Sequence, residues 1–219
     1  MPTVQNRVPT NFSQNATVGT VDSPGGQFGE DLVAELGGKY YTLARDGRVF
    51  VGSTAVAGVT VPVATTTSPT FGIWNPAGSG VNAVLIKASM GYISGTTIAD
   101  ALCYASSVGV GSVLGTPVSA FVSTTPLNGL VGAGRTSQVK FSAAGTNTLS
   151  AAAAGVIYRW SGISHGAPIA TTAAFVPVLT EEFDGTFIIP PGVFVFPAAA
   201  LTSEAGTYGI SWIWAEVPV

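Results

Sequence analysis

The sequence predicts an all-β chain: an antiparallel β-sandwich, jelly-roll-like, preceded by an extended N-terminal arm. Three observations carry this. From Val49 onward, apolar residues alternate with period two, the repeat of a strand with one buried face. Gly and Pro cut that region at short intervals. No long stretch of helical periodicity separates the strands, so the βαβ alternation of a parallel sheet is lacking.

Residues 1–48 read as the arm and 49–219 as the sandwich body. The arm is polar, holds Pro2, Pro9 and Pro24, and includes the run Ser23-Pro24-Gly25-Gly26. Such a stretch buries too little apolar surface to fold alone. Glu30 to Leu36 suits one or two helical turns, with acids at the end the helix dipole favours and Gly37-Gly38 as a stop. Lys39-Tyr40-Tyr41-Thr42-Leu43-Ala44-Arg45 then adds several hydrophobes. The arm is expected to order on a partner; the alternative is a disordered tail followed by an edge strand.

In the body, strands are expected near 49–52, 56–63, 70–74, 82–94, 99–109, 117–123, 136–142, 155–161, 172–178, 185–189, 193–197 and 206–217. Val84, Ile86, Ala88, Met90 and Tyr92 would share one face, opposite Lys87 and Ser89. Val156, Tyr158 and Trp160 share another, as do Phe194 with Phe196, and Tyr208, Ile210, Trp212 and Trp214. The turns fall at Asn75-Pro76, Gly78-Ser79-Gly80, Thr116-Pro117, Thr125-Pro126 and Pro190-Pro191-Gly192, where Gly permits φ > 0 and Pro fixes φ. Two stacked sheets would hide the apolar faces. The remaining faces are Ser, Thr, Gly and Ala, small and neutral.

Charge is the most unusual feature of the composition. Nineteen charged residues serve 219, and nine of them lie in the first fifty. That is 9%, against about 25% in an ordinary globular chain. Charged groups are costly to strip of water, and interface cores are depleted of them. A body this neutral can be covered by neighbours at little desolvation cost, which suggests a subunit of an assembly. Net charge is −3 and Lys87, Arg135, Lys140 and Arg159 stand apart, so the basic footprint of a nucleic-acid binder is lacking. Mean hydropathy is +0.47, yet no run of about 20 apolar residues offers a membrane span. The first ten residues have no apolar h-region, so no secretory signal is expected and the sequon Asn15-Ala16-Thr17 reads as incidental. Cys103 is the only cysteine; an internal disulfide is ruled out, and a buried inert thiol is expected.

Motifs of chemistry fail on mechanism. Gly162-Ile163-Ser164-His165-Gly166 fits G-x-S-x-G, but His165 is the only histidine and sits beside the serine, so no downstream base exists. One His and one Cys cannot build a usual zinc site. Glu181, Glu182 and Asp184 form a local acidic cluster for which a hard cation such as Ca²⁺ is conceivable, without EF-hand spacing. Gly109 to Gly115 misses the dinucleotide fingerprint by one residue and precedes a strand pattern. Asp100 and Glu204 have nothing to mark them as a glycosidase pair. The chain is therefore expected to be no enzyme and to need no cofactor. Trp74, Trp160, Trp212 and Trp214 could line a sugar groove, but alternating aromatics in strands are more often core.

Phe71-Gly-Ile-Trp-Asn-Pro76 leading into Ala77-Gly-Ser-Gly-Val-Asn-Ala-Val-Leu-Ile-Lys87 resembles a pattern of virion structural proteins from tailed bacteriophages. So does the ending from Ile189-Pro-Pro-Gly-Val193 through Ser211-Trp-Ile-Trp-Ala-Glu-Val-Pro-Val219. The nearest analogy is with head decoration, or cement, proteins. That resemblance implies a jelly-roll body, often trimeric, with an arm that grips the capsid shell. The partners would be sister copies and the major capsid protein, with no nucleic acid and no membrane. The site would be the capsid surface of the virion, after synthesis in the host cytoplasm. Phe12, Leu32, Leu36, Tyr40 and Tyr41 are the expected arm anchors, with Arg45 and Arg48 as polar clamps. A tail, fibre or receptor-recognition subunit stays open as the alternative, and a carbohydrate-binding jelly roll behind it.

Overall fold

The computed structural model describes residues 38–95, 102–106, 118–132, 135–143, 145, 147–149, 155–159, 178–199 and 206–219. The chain divides into two units, Met1–Tyr41 and Thr42–Val219. One short helix is described, α1 (Tyr41–Arg45). It stops at a Schellman cap: Gly47, at φ 66°, donates to the Ala44 carbonyl (2.9 Å), and Arg48 N–H to that of Leu43 (2.9 Å).

The strands described are β1 (Val49–Ser53), β2 (Val59–Thr60), β3 (Gly72–Asn75), β4 (Val81–Ser94), β5 (Leu102–Ser106), β6 (Val118–Ala120) and β7 (Leu127–Asn128). After them come β8 (Lys140–Ser142), β9 (Thr148–Leu149), β10 (Gly155–Arg159), β11 (Val178–Ile189), β12 (Val193–Ala199) and β13 (Thr207–Pro218). Eight of these pair as one long folded hairpin: β1 with β13, β3 with β12, β4 with β11, and β5 with β10, all antiparallel. Folding that hairpin over sets β13 beside β4 and β12 beside β5. The outcome is two sheets in the orders β11-β4-β13-β1-β7 and β10-β5-β12-β3-β8. This is jelly-roll connectivity, as the sequence predicts.

The long connection between β5 and β10 supplies β6 to β9. Within it, β7 extends the first sheet beyond β1, β8 extends the second beyond β3, and β6 pairs with β9. Two sheet edges are thereby covered by one excursion of the chain.

Between the sheets runs a series of aromatic rings. Phe50 stacks on Trp214 (6.2 Å between centroids), which stacks on Phe141 (6.0 Å). Phe141 meets Phe71 edge-on (5.1 Å), and Phe71 meets Trp212 in the same way (5.2 Å). All five are buried. Tyr208, Ile210, Trp212 and Trp214 share the inward face of β13, as their alternation predicts. Gly52 lies beneath the Phe141 ring, where an added Cβ would come within 2.6 Å of it. Gly52→Ala is therefore expected to cost about 1–3 kcal/mol through overpacking, read as a lower urea midpoint at unchanged slope. An unshifted midpoint would mean that Phe141 moves aside freely.

β4 departs from simple alternation. Ala88 and Met90 face the core as predicted, but Ala83 and Leu85 take the places expected for Val84 and Ile86. The register explains the switch: Ile213 opposes Lys87 and Trp214 opposes Leu85, so Ile86 is an extra residue. Such a bulge exchanges the faces on its two sides. β11 answers it on the other flank, where Glu182 opposes Lys87 and Phe187 opposes Leu85. Residues 183–186 bow out between those pairs, with Asp184 at φ 51°. The expected strands 172–178 and 185–189 give way to one, Val178–Ile189, which continues through the irregularity at Asp184-Gly185; residues 171–177 lie outside the described set.

β12 is buried along its whole length. Val193 and Val195 face the aromatic core, whereas Phe194, Phe196 and Ala198 face the other way. Phe194 and Phe196 do share a face (5.7 Å between centroids), but it is the outer face of the second sheet. There they form a second cluster with Ala64 and Leu149, flanked by Trp74 and Phe121. Part of that cover comes from the β5–β10 connection. Among the described residues no such cluster lies on the outer face of the first sheet.

Buried polar groups tie the ends together. The Asn75 side-chain amide donates to the carbonyls of Val81 (2.7 Å) and Ile189 (2.9 Å), joining the start of β4 to the end of β11. Asn147 donates to Pro69 O (2.9 Å) and accepts from Val122 N–H (3.0 Å). The Glu216 carboxylate, buried at the end of β13, accepts from the backbone N–H groups of Gln138 (3.2 Å) and Val139 (3.1 Å) and from the Ser137 hydroxyl.

Candidate functional site

Of the seven residues expected to grip a shell, Phe12, Leu32 and Leu36 lie outside the described residues. Tyr40 and Tyr41 belong to the first unit. Lys39 Nζ sits 5.4 Å from the Tyr40 ring centroid, and Tyr41 is 53% exposed. Arg45 and Arg48 belong to the second unit. Arg45 Nε lies 3.6 Å from Asp46 Oδ1, with both side chains partly open to water. Arg48 is built into the sandwich through its backbone, its carbonyl accepting from Glu216 N–H (2.8 Å). The division of the chain therefore falls seven residues before the boundary that composition suggests at 48, and it separates the tyrosines from the arginines.

Sequence reasoning missed Arg135. Its Nη1 donates to the Asp46 carbonyl (3.3 Å), beside the Arg45–Asp46 pair. It also lines a hollow of about 380 Å³ with Thr125, Pro126, Leu127, Leu130 and Val131. Leu127 is 71% exposed and Val131 95%. The one sequence signal for this place is a run of large aliphatic residues, Leu127-Asn-Gly-Leu130-Val131, inside a Gly-rich connection where no strand alternation explains them.

The other candidates for chemistry fall apart in space or lie outside the described residues. Trp212 and Trp214 are core residues and present no face to a sugar. Trp74 is half-buried, with Phe121 at 5.4 Å and Lys140 Nζ at 5.4 Å from its ring. The Glu182 carboxylate pairs with Lys87 Nζ at 3.0 Å. Among the described residues no group of three or more His, Cys, Asp or Glu converges in a way that could hold a metal ion. Trp160, Ser164, His165, Asp100 and Glu204 lie outside them, as does the side chain of Cys103 in β5. Among the described residues no helix is long and apolar enough to cross a membrane. No family model, curated protein or solved structure matches the chain.

Proposed function

We propose that this chain is a decoration, or cement, protein of a bacteriophage capsid. It assembles with sister copies, as a trimer, and holds the major capsid protein through its N-terminal segment. The observation that carries the reading is a jelly-roll body with few charges, some of them matched within the chain. Lys87 is paired with Glu182, and Glu216 is enclosed by backbone donors. A surface left that neutral is cheap to cover. Jelly rolls recur in capsid proteins and in lectins, so the fold supports the reading by analogy alone. The mechanism is mechanical. Segments from linked copies bind neighbouring shell subunits, and the second and third engage at high effective concentration. An extended segment can also add a strand to an exposed sheet edge.

The division at Tyr41/Thr42 defines the test. A cut at 48 would remove α1 and the Arg48 carbonyl that Glu216 uses. Protein lacking residues 1–41 is expected to fold and self-associate like the full chain but to lose binding to expanded heads. Full occupancy of heads by the truncated protein would sink the reading.

A further inference from the structure

The hollow beside β7 opens onto more apolar surface than its own lining. Leu127 pairs with Val51, and Val51 with Ile213. Phe50, Trp212 and Trp214 fill the core, so the alternating residues Val51 and Ile213, and Leu127 in register with them, lie on the outer face of the first sheet. With strands about 4.8 Å apart, this strip runs on the order of 10 Å from β7 to β13. Beyond it in the same row come Lys87 and Glu182, which pair with one another at 3.0 Å. At the near end Leu127, Leu130 and Val131 are 71%, 42% and 95% exposed. Clustered exposed aliphatics of this kind mark interaction sites.

Arg135 gives the hollow its charge. Its Nη1 donates to the Asp46 carbonyl (3.3 Å), and among the described residues it has no carboxylate partner; the Asp46 carboxylate faces Arg45 Nε (3.6 Å). No acidic side chain lines the hollow. The other donors of the guanidinium fork are left for an anion, and a carboxylate matches that fork two bonds at a time. The backbone here is set in advance. The Asn128 side chain donates to Gly47 O (2.8 Å) and accepts from Leu130 N–H (2.8 Å), and Gly129 N–H donates to Val49 O (2.8 Å). Docking therefore orders little else.

We propose that this surface holds a segment of a partner protein in which a Glu or Asp is flanked by aliphatic side chains. The carboxylate seats on Arg135, and its neighbours cover Leu127, Leu130, Val131 and the strip through Val51 and Ile213. Shape favours a chain segment over a small molecule. A ligand pocket encloses roughly 70–90% of a small ligand's surface. Here Leu127 and Val131 project into water and the apolar strip continues past the hollow, so only a longer occupant covers both. One cation calls for one carboxylate; a nucleic-acid backbone would need a far denser basic footprint. The site stands on its own geometry and does not depend on the decoration reading.

Two blocked synthetic peptides test it, Leu-Val-Glu-Leu-Val and the same peptide with Gln for Glu. Each is titrated to millimolar concentration into the full chain, observed at its Leu and Val methyl groups. The Glu peptide is expected to shift the signals of Leu127, Leu130 and Val131. The Gln peptide is expected to bind at least about 10-fold more weakly, since charge-assisted bonds are about twice as strong as neutral ones. Added salt should narrow that gap. Arg135→Gln should erase the preference for Glu. Val131→Asp changes a side chain already in water, so it should abolish binding at an unchanged melting temperature, and it serves should Arg135→Gln fold poorly. No methyl response to the Glu peptide, or equal binding of both peptides, overturns the proposal. Octanoate binding as tightly as the Glu peptide would make this a site for free aliphatic acids and overturn it too. So would a lower molar mass of Val131→Asp than of the unmodified chain, which would place a sister copy here.

Discussion

Trp214→Ala is expected to lower stability by about 3–5 kcal/mol, the usual cost of truncating a large buried aromatic. Trp214 has no exposed surface and lies between Phe50 and Phe141, with ring centroids at 6.2 and 6.0 Å. Removing it deprives both neighbours of a stacking partner and leaves a void between β1, β13 and β8. Neither sheet can close that gap alone, because Phe50 and Phe141 belong to opposite sheets. Typical domains have only about 5–15 kcal/mol to lose, so the variant should unfold at a much lower urea concentration. Trp214→Phe keeps a ring in place and should cost clearly less. A loss below about 1 kcal/mol for the alanine variant would show that the sandwich does not depend on this stack.

Glu216→Ala carries the second large effect, about 3 kcal/mol. The carboxylate takes hydrogen bonds from Gln138 N–H, Val139 N–H and the Ser137 hydroxyl, and Val139 is itself buried. Bonds to a charged acceptor contribute about 1.5–3 kcal/mol, and a buried donor left without one costs about 1–3 kcal/mol. Alanine strands these donors at the entrance to β8, just ahead of Phe141. Glu216→Gln retains one acceptor oxygen but turns an NH₂ group towards N–H donors, so it should fall between the two. Amide exchange at Val139 reports the local effect: protection should drop in both variants, and further in the alanine one. Unchanged protection would mean that backbone pairing alone holds residues 137–139.

Much of the fold was legible because strands with one buried face write their pattern into the sequence. β13 is the clearest instance: Tyr208, Ile210, Trp212 and Trp214 all point inward. β4 was legible in extent but not in phase. A bulge depends on how two neighbouring strands pair, and the sequence of β4 alone holds no trace of the extra Ile86. β12 misleads in another way, since both of its faces are buried and alternation cannot say which is the outer one. The Schellman cap at Gly47 follows a rule that Asp46-Gly47 satisfies, although a helix as short as Tyr41–Arg45 lacks room for any periodicity to announce it. Among the site residues, Arg45 and Arg48 were named for their charge. The attachment of Arg48 to the sandwich comes from a long-range hydrogen bond, Glu216 N–H to its carbonyl, that only the folded chain creates. The exposed aliphatics Leu127, Leu130 and Val131 went unrecognised because their exposure is a property of the packed structure.

The molar mass of the purified chain in solution, taken by light scattering at micromolar concentration, bears most directly on the idea that so uncharged an exterior exists to be covered by its own kind. The account predicts a closed assembly, three times the 22.1 kDa of one chain. A single species of 22.1 kDa that persists as the protein is concentrated would contradict it.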